Sequence, residues 1–144
     1  VQSPNPVLKQ MAEALEHDSS TIDTWRTMNN AIKSKGFNGV GLAAPQVGIS
    51  ERMIWICTSV YTGYIVNPEI TKYSGKLRKS REGCLSLKGH KFVNVQRDRD
   101  IMVIGFDLNW NPIGFRAKNQ SAFVIQHEVD HLQGVTLLDH KKGT

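Results

Sequence analysis

Cysteine is scarce in this sequence. Of 144 residues only Cys57 and Cys84 carry thiols, too few for a disulfide framework and suited to a reducing compartment. Long apolar runs are missing too. The longest are of the kind Met53-Ile54-Trp55-Ile56-Cys57, far short of the roughly 20 residues that cross a bilayer, so no membrane-spanning helix is expected. No basic stretch followed by an apolar segment opens the chain, so no secretory leader is read and the cytoplasm is the expected compartment. No linker, internal repeat or low-complexity segment divides the sequence. With 40% hydrophobic and 22% charged residues, the chain is expected to form one domain, residues 1–144.

The net charge of +5 is unevenly spread. Between Lys72 and Arg99 nine basic residues face two acidic ones. Such a patch suits nucleic acid or a ribosome, and equally suits solvated strand edges whose charges discourage edge pairing. No aromatic interleaving of the RNA-binding kind accompanies it.

The hydrophobic pattern predicts a helix over 19–36, started by a capping-box-like Ser20 to Asp23, with Ile22, Trp25 and Ile32 on its apolar stripe and Gly36 as its stop. Val7, Leu8, Met11, Ala12 and Leu15 suggest a short amphipathic turn before it. Short β-type runs follow at 53–57, 64–67, 91–96, 101–107 and 113–117, the last two joined as a hairpin. Glu82-Gly83-Cys84-Leu85-Ser86 reads as loop. A second helix is predicted from Asn119 or Gln120 to Gln133, with Asn119 as N-cap and Gly134 as stop; it is apolar nearly all round, which marks a buried helix.

That helix carries the chemistry. His127, Glu128, Val129, Asp130 and His131 form H-E-x-x-H, and residues four apart lie about 40° apart around a helix, so both imidazoles project toward one point. Two nitrogens can then share a metal ion, with Glu128 beside them to act on a metal-activated water. Two histidines and a glutamate in an apolar helix are costly to bury unless they are paired or bind metal. A catalytic site of this kind uses three protein ligands and one open position. The third histidine of the extended zinc-protease pattern falls at Leu137, although Gly134 matches; His140 comes three residues late, and no glutamate follows Glu128. An upstream ligand is therefore needed, and Cys84 is the strongest candidate, whereas Cys57 reads as a small core residue. Gln46 in its glycine-rich segment and the backbone N–H of Leu85 offer donors for a developing oxyanion.

Gly39-Val40-Gly41-Leu42-Ala43-Ala44-Pro45-Gln46, then Glu82-Gly83-Cys84-Leu85-Ser86, then Gln126-His127-Glu128-Val129-Asp130-His131-Leu132-Gln133-Gly134 resemble the three signature motifs of the peptide deformylases, in that family's order. The resemblance runs across nearly the whole chain, including the opening from Pro4 to Leu8. It implies an α+β fold in which mixed or antiparallel sheets wrap a central buried metal-binding helix, and a metallo-amidase that removes the formyl group from the N-terminal methionine of nascent peptides, releasing formate. Cys84, His127 and His131 would bind one divalent metal with water at its open position. Glu128 would be the general base and proton carrier, and Gln46 with the Leu85 N–H would hold the oxyanion. The substrate backbone would pair with the chain around Gly41, with Gly83 beside it, and Val40, Phe123 and Val124 would line the methionine pocket. Ferrous iron would be the usual metal; zinc, nickel or cobalt suit the same donors.

Two departures stand out. Many members carry proline where this chain has Lys88, and many continue into a further C-terminal helix where this chain ends ten residues after Gly134. Short forms of this kind are similar to those of bacteriophages and some bacteria, with an organelle left open. The partners so implied are formylmethionyl peptides, a possible ribosome contact through the basic patch, no membrane, and a monomeric state. Glu82 is expected to pair with Arg97, or each charge to be solvated alone. His17, His90 and His140 read as surface residues, and Trp25, Trp55 and Trp110 as packing. Two other readings stay open, a small zinc endoprotease and a metal-stabilised binding module without turnover. The missing third ligand after His131 argues against the first, and Glu128 beside the ligands against the second.

Overall fold

The computed structural model describes residues 5–16, 20–84 and 92–142. Its frame is a five-stranded antiparallel sheet in the order β1 (Gly41–Ala43), β2 (Met53–Cys57), β3 (Thr62–Tyr73), β6 (Asp100–Phe106) and β7 (Pro112–Lys118). A separate antiparallel pair, β4 (Leu77–Gly83) and β5 (Phe92–Asp98), leaves the chain between β3 and β6. Among the described residues three helices accompany them, α1 (Ser20–Ile32), α2 (Gln120–Leu132) and α3 (Leu137–Lys142), with a 3-10 turn at Pro6–Lys9 and another at Ala44–Val47. None is long and apolar enough to cross a membrane.

Alternation along the strands sends side chains to both faces of the sheet, and both faces are covered at β2. Ile54 and Ile56 join Ile65, Ile101, Val103 and Ala117 against α2. Met53, with Leu42 and Val66, packs instead with Met28 of α1 and with Leu15. Helix α2 is buried on nearly every side, from Ser121 to Leu132, which is what its all-round apolar sequence requires.

Several expectations are corrected. Helix α1 stops at Ile32, and its inward stripe runs through Thr21, Thr24 and Met28, leaving Ile22 54% exposed. The stripe is rotated because threonines fill the tight positions at its buried face, Thr24 donating to Glu51 Oε2 at 2.6 Å. Gly36 still adopts a left-handed φ of 94°, but in the turn after the helix. Strand β3 runs past Asn67, where the sequence suggested an end, because a bulge around Asn67 and Pro68 absorbs the proline's missing N–H. Glu82 and Gly83 close strand β4 rather than lying in a loop. Asn119 has a φ of 53° and makes no side-chain cap; its Oδ1 is turned to Arg78 instead, at 3.5 Å. Cys57 is an exposed free thiol at the last position of β2, although it shares the face on which Met53 is buried. Helix α3, which the pattern did not suggest, seats Leu137 against Val93 and Val95 of β5. Trp25, Trp55 and Trp110 are partly buried packing residues, as expected, Trp55 edge-on to Phe37 and Trp110 tilted on Phe106.

Candidate metal centre and cleft

Helix α2 presents His127 and His131 one turn apart, their ring centroids 5.3 Å from each other. Cys84, at the end of β4, reaches the same point from the small sheet. The ligand atoms of Cys84, His127 and His131 all lie within 4.8 Å of one another. Cys84 Sγ is 3.4 Å from His131 Nε2, and a tetrahedral ion bound at ordinary Zn–S and Zn–N lengths would hold such a pair about 3.5 Å apart. Glu128 Oε1, buried beside these donors, has no hydrogen-bond partner among the described residues. An orphaned carboxylate oxygen is costly in a protein interior. Thiolate, two imidazoles and a free carboxylate thus fit a borderline divalent cation such as iron, zinc, nickel or cobalt.

The electrostatics follow from burial. Glu128, 5% exposed, has its carboxyl pushed up to about 7 by desolvation, which the charge on His127 only partly offsets. Desolvation together with the neighbouring His127 and Arg97 charges lowers His131 to about 3. Burial would lower His127 as well, but hydrogen bonds to Cys84 and Glu82 overcome it and raise that imidazole to about 10.

Behind the ligands lies a second layer of polar side chains. His127 Nδ1 donates to Glu82 Oε1 at 2.8 Å. Arg97 donates to Glu82 through Nε at 3.0 Å and Nη2 at 2.8 Å, and to Asp130 through Nη1 at 2.5 Å. The expected Glu82–Arg97 pair is present, and it is buried rather than solvated. Burial alone would raise Glu82, but His127 and Arg97 bring it down to about 2. The sequence signalled neither the link to His127 nor the one to Asp130. His140 is half-buried rather than a free surface residue: its Nε2 donates to Asp130 Oδ2 at 2.8 Å, because α3 folds back onto β5. His17, His90, Lys88 and Leu85 lie outside the described residues.

In front of the ligands a cleft of about 710 Å³ opens. Val40, Gly41, Gln46, Gly83, Cys84, Phe123, Val124, His127 and Glu128 all line it. Gln46 is fixed at both ends, its Oε1 accepting from Ala43 N at 2.9 Å and its Nε2 reaching Cys84 Sγ at 3.4 Å. Val40 stands at the rim, 51% exposed. Phe92 and Arg81 complete one wall, the guanidinium 5.1 Å over the ring. The sequence reading passed over both. Phe92 sits opposite Gly83 in the ladder, a pairing set by strand register that no local sequence pattern reveals.

The family sequence model described as Polypeptide deformylase matches residues 1–144. A peptide deformylase of Thermodesulfovibrio yellowstonii is 38% identical over 142 residues, covering 94% of this chain and 84% of the relative. The crystal structure of PDF from the Vibrio parahaemolyticus bacteriophage VP16T, in complex with actinonin, superposes with a TM-score of 0.86 at 38% identity, covering 94% of this chain and 97% of that one. A class I type b peptide deformylase from Acinetobacter baumannii with Met-Ala-Ser bound gives 0.84 at 27% identity, covering 97% and 95%.

Proposed function

The chain belongs to the polypeptide deformylase family, and from that premise we propose that residues 1–144 form one catalytic domain that hydrolyses the formyl amide of N-formylmethionyl peptides at Cys84, His127, His131 and Glu128. The observation that carries this reading is Glu128. A structural metal site closes its coordination with protein ligands, whereas here a buried carboxylate with an unpartnered oxygen stands beside three donors.

Cys84, His127 and His131 would hold the ion, with ferrous iron the expected native metal and zinc, nickel or cobalt suited to the same donors. A divalent ion there supplies Lewis-acid polarisation of the formyl carbonyl and makes water nucleophilic near neutral pH. Glu128, raised to about 7, is matched to accepting a proton from the attacking water and passing it to the departing amine. The C–N bond of the formyl amide breaks, formate leaves, and the α-amine carries the proton away. Gln46 Nε2, held from behind by the Ala43 N–H, is the side-chain donor for the oxyanion, and the Leu85 N–H is our second donor. Strand β1 is a sheet edge, so the backbone of an extended peptide can add beside Gly41, passing Gly83. Val40, Phe123 and Val124 supply apolar surface for the methionine side chain.

Lys79 and Arg81 are exposed on β4, in the basic segment that includes the cleft wall, and that face is our candidate for ribosome contact by a cytoplasmic monomer. The deciding experiment measures formate release from formyl-Met-Ala-Ser by protein loaded anaerobically with Fe2+ or Ni2+. Activity is expected, falling by about 10²- to 10⁴-fold in Glu128→Ala with metal retained. Folded, metal-loaded protein that releases no formate would overturn the reading, and cleavage of unblocked internal peptides would turn it into an endoprotease.

A further inference from the structure

Helix α3 takes no part in the chemistry just described, yet an unbroken hydrogen-bonded path leads from it to the ligand set. We propose that His140 is a positioning residue that acts through Asp130, Arg97 and Glu82 to fix the ring of His127 and so slow the loss of the metal; this rests on the reading that Cys84, His127 and His131 hold a divalent ion.

Every junction in the path is a shared oxygen. Asp130 Oδ2 accepts from both Arg97 Nη1 at 2.5 Å and His140 Nε2 at 2.8 Å. Glu82 Oε1 accepts from both Arg97 Nη2 and His127 Nδ1, each at 2.8 Å. Ionised carboxylates only accept, so hydrogens sit on His140 Nε2 and His127 Nδ1, and the Nε2 lone pair of His127 is left for the ion. The Arg97 fork fixes the plane of Glu82, and Glu82 fixes the imidazole. Arg97 in turn is held at its far end by Asp130 alone among the described carboxylates other than Glu82.

Asp130 is therefore the point at which the path can tilt. It is only partly buried, and one positive charge on Arg97 is divided between two carboxylates. The donor from His140 holds Asp130 Oδ2 in place against rotation toward solvent. That donor comes from an anchored element. Leu137 is buried against β5, and Asp139 accepts from Thr136 N at 2.8 Å while pairing with Lys9 near the start of the chain.

The test compares release of Co2+ to excess chelator from the holoenzymes of wild type, His140→Gln and His140→Phe. Glutamine keeps an N–H donor, while phenylalanine keeps bulk without one. About tenfold faster release from His140→Phe, a changed Co2+ absorption spectrum, and near wild-type behaviour of His140→Gln are expected. Thermal midpoints of the metal-free forms report any loss of fold separately. Equal release from wild type and His140→Phe overturns the proposal, as does equally fast release from both variants. Should wild type and Cys84→Ala hold Co2+ equally poorly, the ligand reading falls as well, which separates the two failures.

Discussion

At Gly41 the backbone passes so close to the carboxylate of Glu128 that a Cβ would lie 2.3 Å from Oε2. The residue is therefore glycine for room and not for backbone conformation. Gly41→Ala is expected to fold and keep its metal but to displace Glu128, lowering kcat/KM for the formyl peptide by about a hundredfold. Formate assays beside thermal melts check this, and unchanged kcat/KM would show that the carboxylate has freedom the packing denies. At this scale the sequence was informative where chemistry sits in short spacings. His127, Glu128 and His131 share one helical turn, and Cys84 lies in a motif with Gly83. It was silent where partners meet only through the fold: Glu82 on His127 spans 45 positions and His140 on Asp130 spans ten, and no local pattern encodes either.

Among the elements, β2, β6, β7 and α2 were legible because each buries a regular apolar face. Strand β4 was not: Leu77–Gly83 carries Arg78, Lys79 and Arg81 outward and turns only Ser80 and part of Glu82 inward, so it lacks the alternation that marks a strand. Asn119 matched a cap by residue type, but its backbone enters α2 in a conformation that aims the side chain elsewhere. The join between the small and large sheets depends on Asp98, whose buried carboxylate accepts from Ser74 N and Oγ, Gly75 N and Asp100 N. Burial alone would raise this carboxyl, but the Ser74 hydroxyl and the backbone N–H groups outweigh it, so the value lies below the ordinary 3.8. The charged form is thus favoured in the folded state. Its contribution is complete above the unfolded value and disappears as pH falls through the native one. Asp98→Asn is expected to lose about 2 kcal/mol at pH 7, with the gap to wild type closing below about pH 4. Urea melts at pH 7 and pH 3 decide it; a gap of the same size at both would count against the carboxylate's role.

For the molecule as a whole, the proposed ligand set adds a tie between parts already joined by packing and by the Glu82–His127, Arg97–Asp130 and Asp98–Gln126 hydrogen bonds. Cys84 comes from the small sheet, and the histidines come from the helix buried against the large one. An ion that binds only this folded arrangement stabilises it by mass action, by about 2.7 kcal/mol at a free concentration of a hundred times Kd. For a chain of this size that corresponds to a rise in Tm of about 8 °C. Calorimetry of Ni2+-loaded and chelator-stripped protein tests the coupling, and identical melting points would mean that the donors do not hold metal in the folded state.

Strands β3 and β6 pair directly, although β4 and β5 lie between them in the chain. The arm they form enters and leaves the large sheet at one junction, so change within it need not alter the register of that sheet. It carries Arg81, Gly83 and Phe92, one wall of the cleft, together with Cys84, Glu82 and Arg97, while Phe123, Val124 and Glu128 stay on α2. Change at Arg81 and Phe92 can therefore recut the choice of peptide only where Cys84, Glu82 and Arg97 on the same arm are kept.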